Sequence, residues 1–123
     1  MTKKILIADD EDNVRELVYV SLEDEGYEIH EASDGEEAVA KARELKPDLI
    51  VLDVMMPGKT GYEVCEELRK DPDMQDIYIL FLSARGSAVS EMTGKMKGED
   101  AYMVKPFEPA DLRKKVKEAL KLD

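Results

Sequence analysis

Asp9 and Asp10 close the apolar run Ile5-Leu6-Ile7-Ala8, and Asp53 closes Leu49-Ile50-Val51-Leu52. Ser83 follows Ile77-Tyr78-Ile79-Leu80-Phe81-Leu82, and Lys105 follows Ala101-Tyr102-Met103-Val104. A second run in chain order, around Tyr27-Glu28-Ile29, ends without such a group. If these runs are parallel strands, three carboxylates, a hydroxyl and an ammonium meet at one edge of one sheet. Adjacent carboxylates there are costly, because like charges a few ångströms apart disfavour joint ionisation. A hard divalent cation offsets that cost, and an all-oxygen donor set suits Mg²⁺ or Mn²⁺. Asp10 and Asp53 are the expected direct ligands, with Asp9 acting through a bound water. Capping of the first helix, the alternative use for Asp9 or Asp10, is assigned to Asp12 or Asn13, although a dual role stays open.

Asp53 is the expected nucleophile. A carboxylate can attack phosphorus to give an acyl phosphate when the charge on the equatorial oxygens is balanced. Lys105 supplies part of that balance as a mobile point charge, and Ser83 can donate a hydrogen bond to a phosphoryl oxygen. A lone Lys-Pro or Ser after a strand is usually loop surface. The set at successive strand ends carries the weight.

The elements that must position these residues follow from periodicity. Apolar runs alternate with helical patterns, which points to a parallel α/β sheet covered on both faces. Val14, Leu17, Val18 and Leu22 keep helical spacing up to Gly26. Ser33 with Glu36 suggests a capping box, followed by Ala38, Val39, Ala42 and Leu45 until Pro47. A third helix uses Val64, Cys65 and Leu68 and stops near Asp71-Pro72. A fourth, within Ala88 to Met96, has a thin apolar face among Gly86, Gly94 and Gly98. The last opens near Glu108-Pro109 and carries Leu112, Val116, Ala119 and Leu120. The result is (βα)5, a doubly wound α/β sandwich. Ligands in such sheets bind beyond the carboxyl ends of the strands.

A length of 123 residues fits one domain spanning 1–123. With 43% hydrophobic and 38% charged residues, the composition is that of a folded globular chain, not a disordered one. No stretch is long and apolar enough for a membrane span, and no leader is evident, so a cytoplasmic location is expected. One cysteine, Cys65, excludes an intramolecular disulfide and suits a reducing compartment. A formal charge of −11 argues against nucleic acid or anionic membranes as direct partners.

The stretches "ILIADDE", "PDLIVLDVMMPG", "LSA" and "AYMVKPF", in this order and spread over essentially the whole chain, resemble the receiver domain of two-component response regulators in its CheY-like form. The resemblance implies a flavodoxin-like fold of strand order 2-1-3-4-5. It implies transfer of a phosphoryl group to Asp53 from a phosphohistidine on a sensor kinase or phosphotransfer protein, as part of a phosphorelay. It further implies Mg²⁺ at Asp10 and Asp53, with the Met55 backbone carbonyl as another ligand, and a cis Lys105-Pro106 peptide. Ser83 falls on the family's switch hydroxyl and Tyr102 on its switch aromatic. Their movement would bias the surface of the fourth helix, fifth strand and fifth helix toward an unknown effector. Met55 and Arg85 resemble positions that modulate phosphoryl lifetime. Lys59-Thr60 in "PGKTG" departs from the usual Met-Asp pair, and "GEDAY" from a "GADDY"-like stretch.

Other residues read plainly. His30 is expected on the surface of the second strand, Cys65 in the core, and Tyr102 equally well as an ordinary half-buried aromatic. Arg113, Lys114, Lys115, Lys117 and Lys121 make the last helix basic, complementing its dipole or docking an acidic partner. The leading expectation is a phosphorylation-controlled module without an attached output domain, catalysing only its own phosphorylation and dephosphorylation. A receiver cut from a longer regulator is the alternative organisation. Other functions weighed are a haloacid dehalogenase-type aspartyl phosphatase, a nucleotide binder and a phosphorylation-independent scaffold. The phosphatase requires Asp-x-Asp after the first strand, where this chain has Asp9-Asp10-Glu11, and no glycine-rich phosphate loop follows that strand.

Overall fold

The structure is a computed structural model, and it describes residues 2–83, 101–105 and 107–120. Strands β1 (Lys4–Ala8), β2 (Glu28–Ala32), β3 (Leu49–Asp53), β4 (Tyr78–Ser83) and β5 (Ala101–Val104) form one parallel sheet in the order β2-β1-β3-β4-β5. That order bears out the flavodoxin-like expectation. Four helices are described: α1 (Asp12–Glu23), α2 (Gly35–Leu45), α3 (Gly61–Arg69) and a C-terminal helix (Pro109–Ala119). The fourth helix expected from sequence, together with Arg85 and Pro106, lies outside the described residues.

Two-residue periodicity divides the sheet's side chains between two cores. Ile5, Ile7, Leu49, Val51, Leu80 and Leu82 face Val18 and Leu22 of α1 and Leu112 and Val116 of the C-terminal helix. The intervening Leu6, Ala8, Ile50, Leu52, Ile79 and Phe81 face α2 and α3. All twelve are fully buried, which explains why the three central strands read as unbroken apolar runs. Each buried Leu or Ile contributes roughly 1.5–3 kcal/mol, so the two cores together can hold charged groups close at the strand ends. Tyr62 of α3 meets Phe81 edge-on, with ring centroids 5.3 Å apart.

Local signals placed the helices well and their first residues less well. The second helix is capped by Asp34, whose side chain accepts from the Glu37 N–H at 2.8 Å. Glu37 reaches back to the Ser33 N–H at 2.6 Å. The N-cap therefore falls one residue after the expected Ser33, and Glu37, not Glu36, is the acidic side chain that bonds back, to Ser33. The N-cap of α1 is Glu11, not Asp12 or Asn13, and it makes no side-chain cap bond. The second strand begins at Glu28 and runs to Ala32, three residues beyond the apolar run that suggested it. Its edge position leaves Glu28 and Glu31 exposed and His30 half-buried, as expected for a strand away from the pocket.

Candidate functional site

β1 and β3 are hydrogen-bonded neighbours at the centre of the sheet, with Ala8 opposite Leu52. Their carboxyl ends therefore deliver Asp9, Asp10 and Asp53 to one place, at the switch point where the strand order reverses. A ligand oxygen from each of the three lies within 4.8 Å of the others. Asp9 is 0% and Asp53 4% exposed, whereas Asp10 is exposed. Lys105, one residue beyond β5, brings its Nζ to 2.9 Å from Asp9 Oδ2 and 3.2 Å from Asp53 Oδ1. Glu11 Oε1 stands 4.0 Å from the same ammonium.

The electrostatics are set by burial. Desolvation, reinforced by the nearby Asp9 charge, pushes the Asp53 carboxyl up from 3.8 to about 6. Lys105 and a hydrogen bond from the Met55 backbone act in the opposite direction and moderate the rise. For Lys105, burial disfavours the charged form, but the hydrogen bond to Asp9 and the carboxylates of Asp53 and Asp9 outweigh it and raise its pKa. At neutral pH the ammonium is held charged, and Asp53 remains largely a carboxylate despite its burial.

The backbone leaves no slack around Asp53. A Cβ at Gly61 would stand 2.3 Å from the Asp53 carbonyl oxygen, so the first residue of α3 must be glycine for this approach. Gly61 N–H also donates to the Val54 carbonyl at 2.8 Å. At the other side of the loop, a Cβ at Gly35 would meet the Lys59 carbonyl at 2.4 Å. The β3–α3 loop is thus clamped against both β3 and α2.

Together these features present a buried ionised carboxylate, a fixed cation and an all-oxygen acidic set at the carboxyl edge of a parallel sheet. The family model described as Response regulator receiver domain matches residues 5–117. The chain belongs to the response regulator receiver domains. It is 46% identical over 98% of its length to the alkaline phosphatase synthesis transcriptional regulatory protein PhoP of Bacillus subtilis, covering 50% of that protein. It is 43% identical to the transcriptional regulatory protein ResD of the same organism, over 96% of this chain and 48% of that protein. The receiver therefore spans about half the length of these curated relatives. Among solved structures it resembles the chemotaxis response regulator CheY4 of Vibrio cholerae, with TM-score 0.89, 36% identity and coverage of 97% and 99% of the two chains. It also resembles the response regulator TrrA of Thermotoga maritima, solved in complex with Mg²⁺-BeF, with TM-score 0.85, 42% identity and coverage of 96% and 99%.

Within the receiver, the other sequence-derived residues fall as follows. Ser83 ends β4 opposite Val104, which puts its backbone at the same sheet edge; its side chain lies outside the described set. Tyr102 pairs in register with Phe81 and is 38% exposed. Met55 is exposed, Cys65 is buried, and no described helix is long and apolar enough to cross a membrane. Sequence reading passed over Arg15. Its guanidinium donates to the Asp9 carbonyl at 2.6 Å, to Glu31 Oε1 at 3.3 Å and to the Asp12 carboxylate. The one local signal for it is an acidic residue three positions earlier, at Asp12.

Proposed function

We propose that Asp53 accepts a phosphoryl group from a phosphohistidine on a sensor kinase or phosphotransfer protein, in a Mg²⁺-dependent reaction. The observation that carries this reading is the buried Asp53 carboxylate bonded to Lys105 beside two further carboxylates. An Asp53 oxygen attacks phosphorus as the phosphorus–nitrogen bond breaks, and the imidazole nitrogen leaves with the electron pair. The product is an acyl phosphate, whose added negative charge lies within reach of the Lys105 ammonium.

The donor set fits a hard cation: three carboxylates converge, and the Lys105 ammonium contacts two of them, Asp9 and Asp53. Asp10 and Asp53 would bind Mg²⁺ or Mn²⁺ directly, with the Met55 carbonyl, and Asp9 would act through water. In support, both Asp9 oxygens already accept hydrogen bonds, Oδ1 from the Glu11 N–H at 2.9 Å and Oδ2 from Lys105. When bound, the metal supplies charge neutralisation for the phosphoryl oxygens. TrrA, solved with Mg²⁺-BeF, shows a receiver of this fold taking a metal together with a small fluoride complex.

Ser83 and Tyr102 are proposed as the switch pair. Tyr102's exposed ring on β5 is compatible with an inward turn that alters the surface around β5 and the C-terminal helix. An effector protein would read that surface. The acidic 123-residue segment itself is expected to avoid nucleic acid, whatever a longer chain would do. A reducing, cytoplasmic setting suits the lone buried cysteine. The dehalogenase-type alternative is not favoured, because the family match and the Lys105-bound carboxylate on β3 both point to the receiver.

The test is phosphorylation with Mg²⁺ and a small phosphodonor, read by intact mass. The chain gains one phosphoryl group and Asp53→Asn gains none. Labelling that persists in the substituted chain at another residue would remove the assignment.

A further inference from the structure

We infer that Arg15 is a positioning residue for the cation site, acting through the peptide that joins Asp9 to Asp10. The inference rests on the metal reading above. The Asp9 carbonyl and the Asp10 N–H belong to one planar unit. Arg15 Nη1 holds that carbonyl at 2.6 Å, while the Asp9 N–H donates to the Ala32 carbonyl on β2 at 3.1 Å. Both sides of Asp9 are therefore tethered, one to an edge strand and one to α1. Turning the Asp9–Asp10 peptide would re-aim the Asp10 carboxylate, which is exposed and lacks the packing that fixes Asp9.

The guanidinium is itself held from two other directions. Nε reaches Glu31 on β2 and Nη2 reaches Asp12 in the first turn of α1. Its side chain is only 15% exposed, whereas those of Asp12 and Glu31 are 89% and 44% exposed. A planar fork with donors in several fixed directions suits this task, and a lysine cannot reproduce it. Arg15 thus links β1, α1 and β2 at the base of the acidic turn.

Charge and position make opposite predictions. A cation near the carboxylates weakens Mg²⁺ binding by repulsion, so removing a purely electrostatic Arg15 tightens the site. Removing a positioning Arg15 loosens it, as loss of groups that orient metal ligands does, by roughly tenfold or more.

Mg²⁺ titration calorimetry on the parent chain, Arg15→Ala, Arg15→Lys and the control Arg43→Ala separates the two. Arg43 on α2 pairs with Glu67 of α3 and with Asp71 just beyond that helix, and its removal takes away an equal charge. The expected result is a dissociation constant raised roughly tenfold in Arg15→Ala, raised less in Arg15→Lys, and not raised in Arg43→Ala. If Arg15→Ala fails to fold by circular dichroism, Arg15→Lys decides. Arg15→Lys binding like the parent, or Arg15→Ala binding as tightly or more tightly, overturns the inference. So does a lower urea midpoint with unchanged Mg²⁺ affinity, which marks a structural role only. A parent chain that takes no Mg²⁺ removes the metal reading itself, and this inference with it.

Discussion

At the start of α3, Thr60 Oγ1 accepts from the Glu63 N–H at 3.2 Å and Glu63 Oε1 accepts from the Thr60 N–H at 3.0 Å. At the start of α1, Glu11 makes no such exchange, and its own N–H goes to Asp9 Oδ1. These two helices follow adjacent central strands, yet one is closed by its local sequence and the other by the pocket. The difference shows where local rules give way. A capping box satisfies orphan N–H groups with residues three apart. At α1 the Asp9 carboxylate is committed to Lys105 and to the Glu11 N–H, so the turn is organised by Asp9 and Arg15. Departures of this kind are expected at functional sites.

The largest effect is expected at Gly61, where the well-capped α3 touches the Asp53 backbone. Gly61→Val would drive a side chain into the Asp53 carbonyl, an atom with no freedom to yield. The expected loss is about 3 kcal/mol in urea unfolding, together with loss of phosphoryl labelling. A substituted chain of parental stability would show that α3 and β3 are not clamped as described.

Next in size is the strain on the pocket side. Asp53 titrates near 3.8 unfolded and at about 6 folded, so between these values the native state binds more protons. Metal-free stability should therefore fall as pH rises from about 4 to about 6 and stay at the lower level above. Asp53→Asn removes this slope and, with a chelator present, gains roughly 1–2 kcal/mol at pH 7 once solvent screening is allowed for. Unfolding curves across that pH range test it. A parallel slope in the parent and the substituted chain would assign the strain elsewhere.

The same contrast explains what could be read beforehand. Strand positions and their terminal residues were legible, because a buried parallel strand is a continuous apolar run and its end is a change of residue type. The order 2-1-3-4-5 came from resemblance, since periodicity carries no information on which strands are neighbours. Helix starts were legible to within a residue where the cap is local: Ser33 and Asp34 are both competent caps, and backbone geometry chose Asp34. Thr60, a departure from the family's usual pair, turns out to serve as the cap of α3. Arg15 was illegible because its partners lie on three elements, with Glu31 sixteen residues away.

The smallest effects sharpen the contrast between the two helix starts. Thr60→Ala removes the side chain that accepts from Glu63, and the expected cost is about 1 kcal/mol. Asn13→Ala removes a residue that would be a competent cap by type but lies inside α1, past the N-cap at Glu11. Its expected effect is within about 0.5 kcal/mol, with alanine's better helix propensity acting in its favour. Chemical denaturation at fixed pH and salt resolves the pair. Equal losses at both positions would mean that α1 is capped locally after all, and the pocket would then have no special claim on how that helix begins.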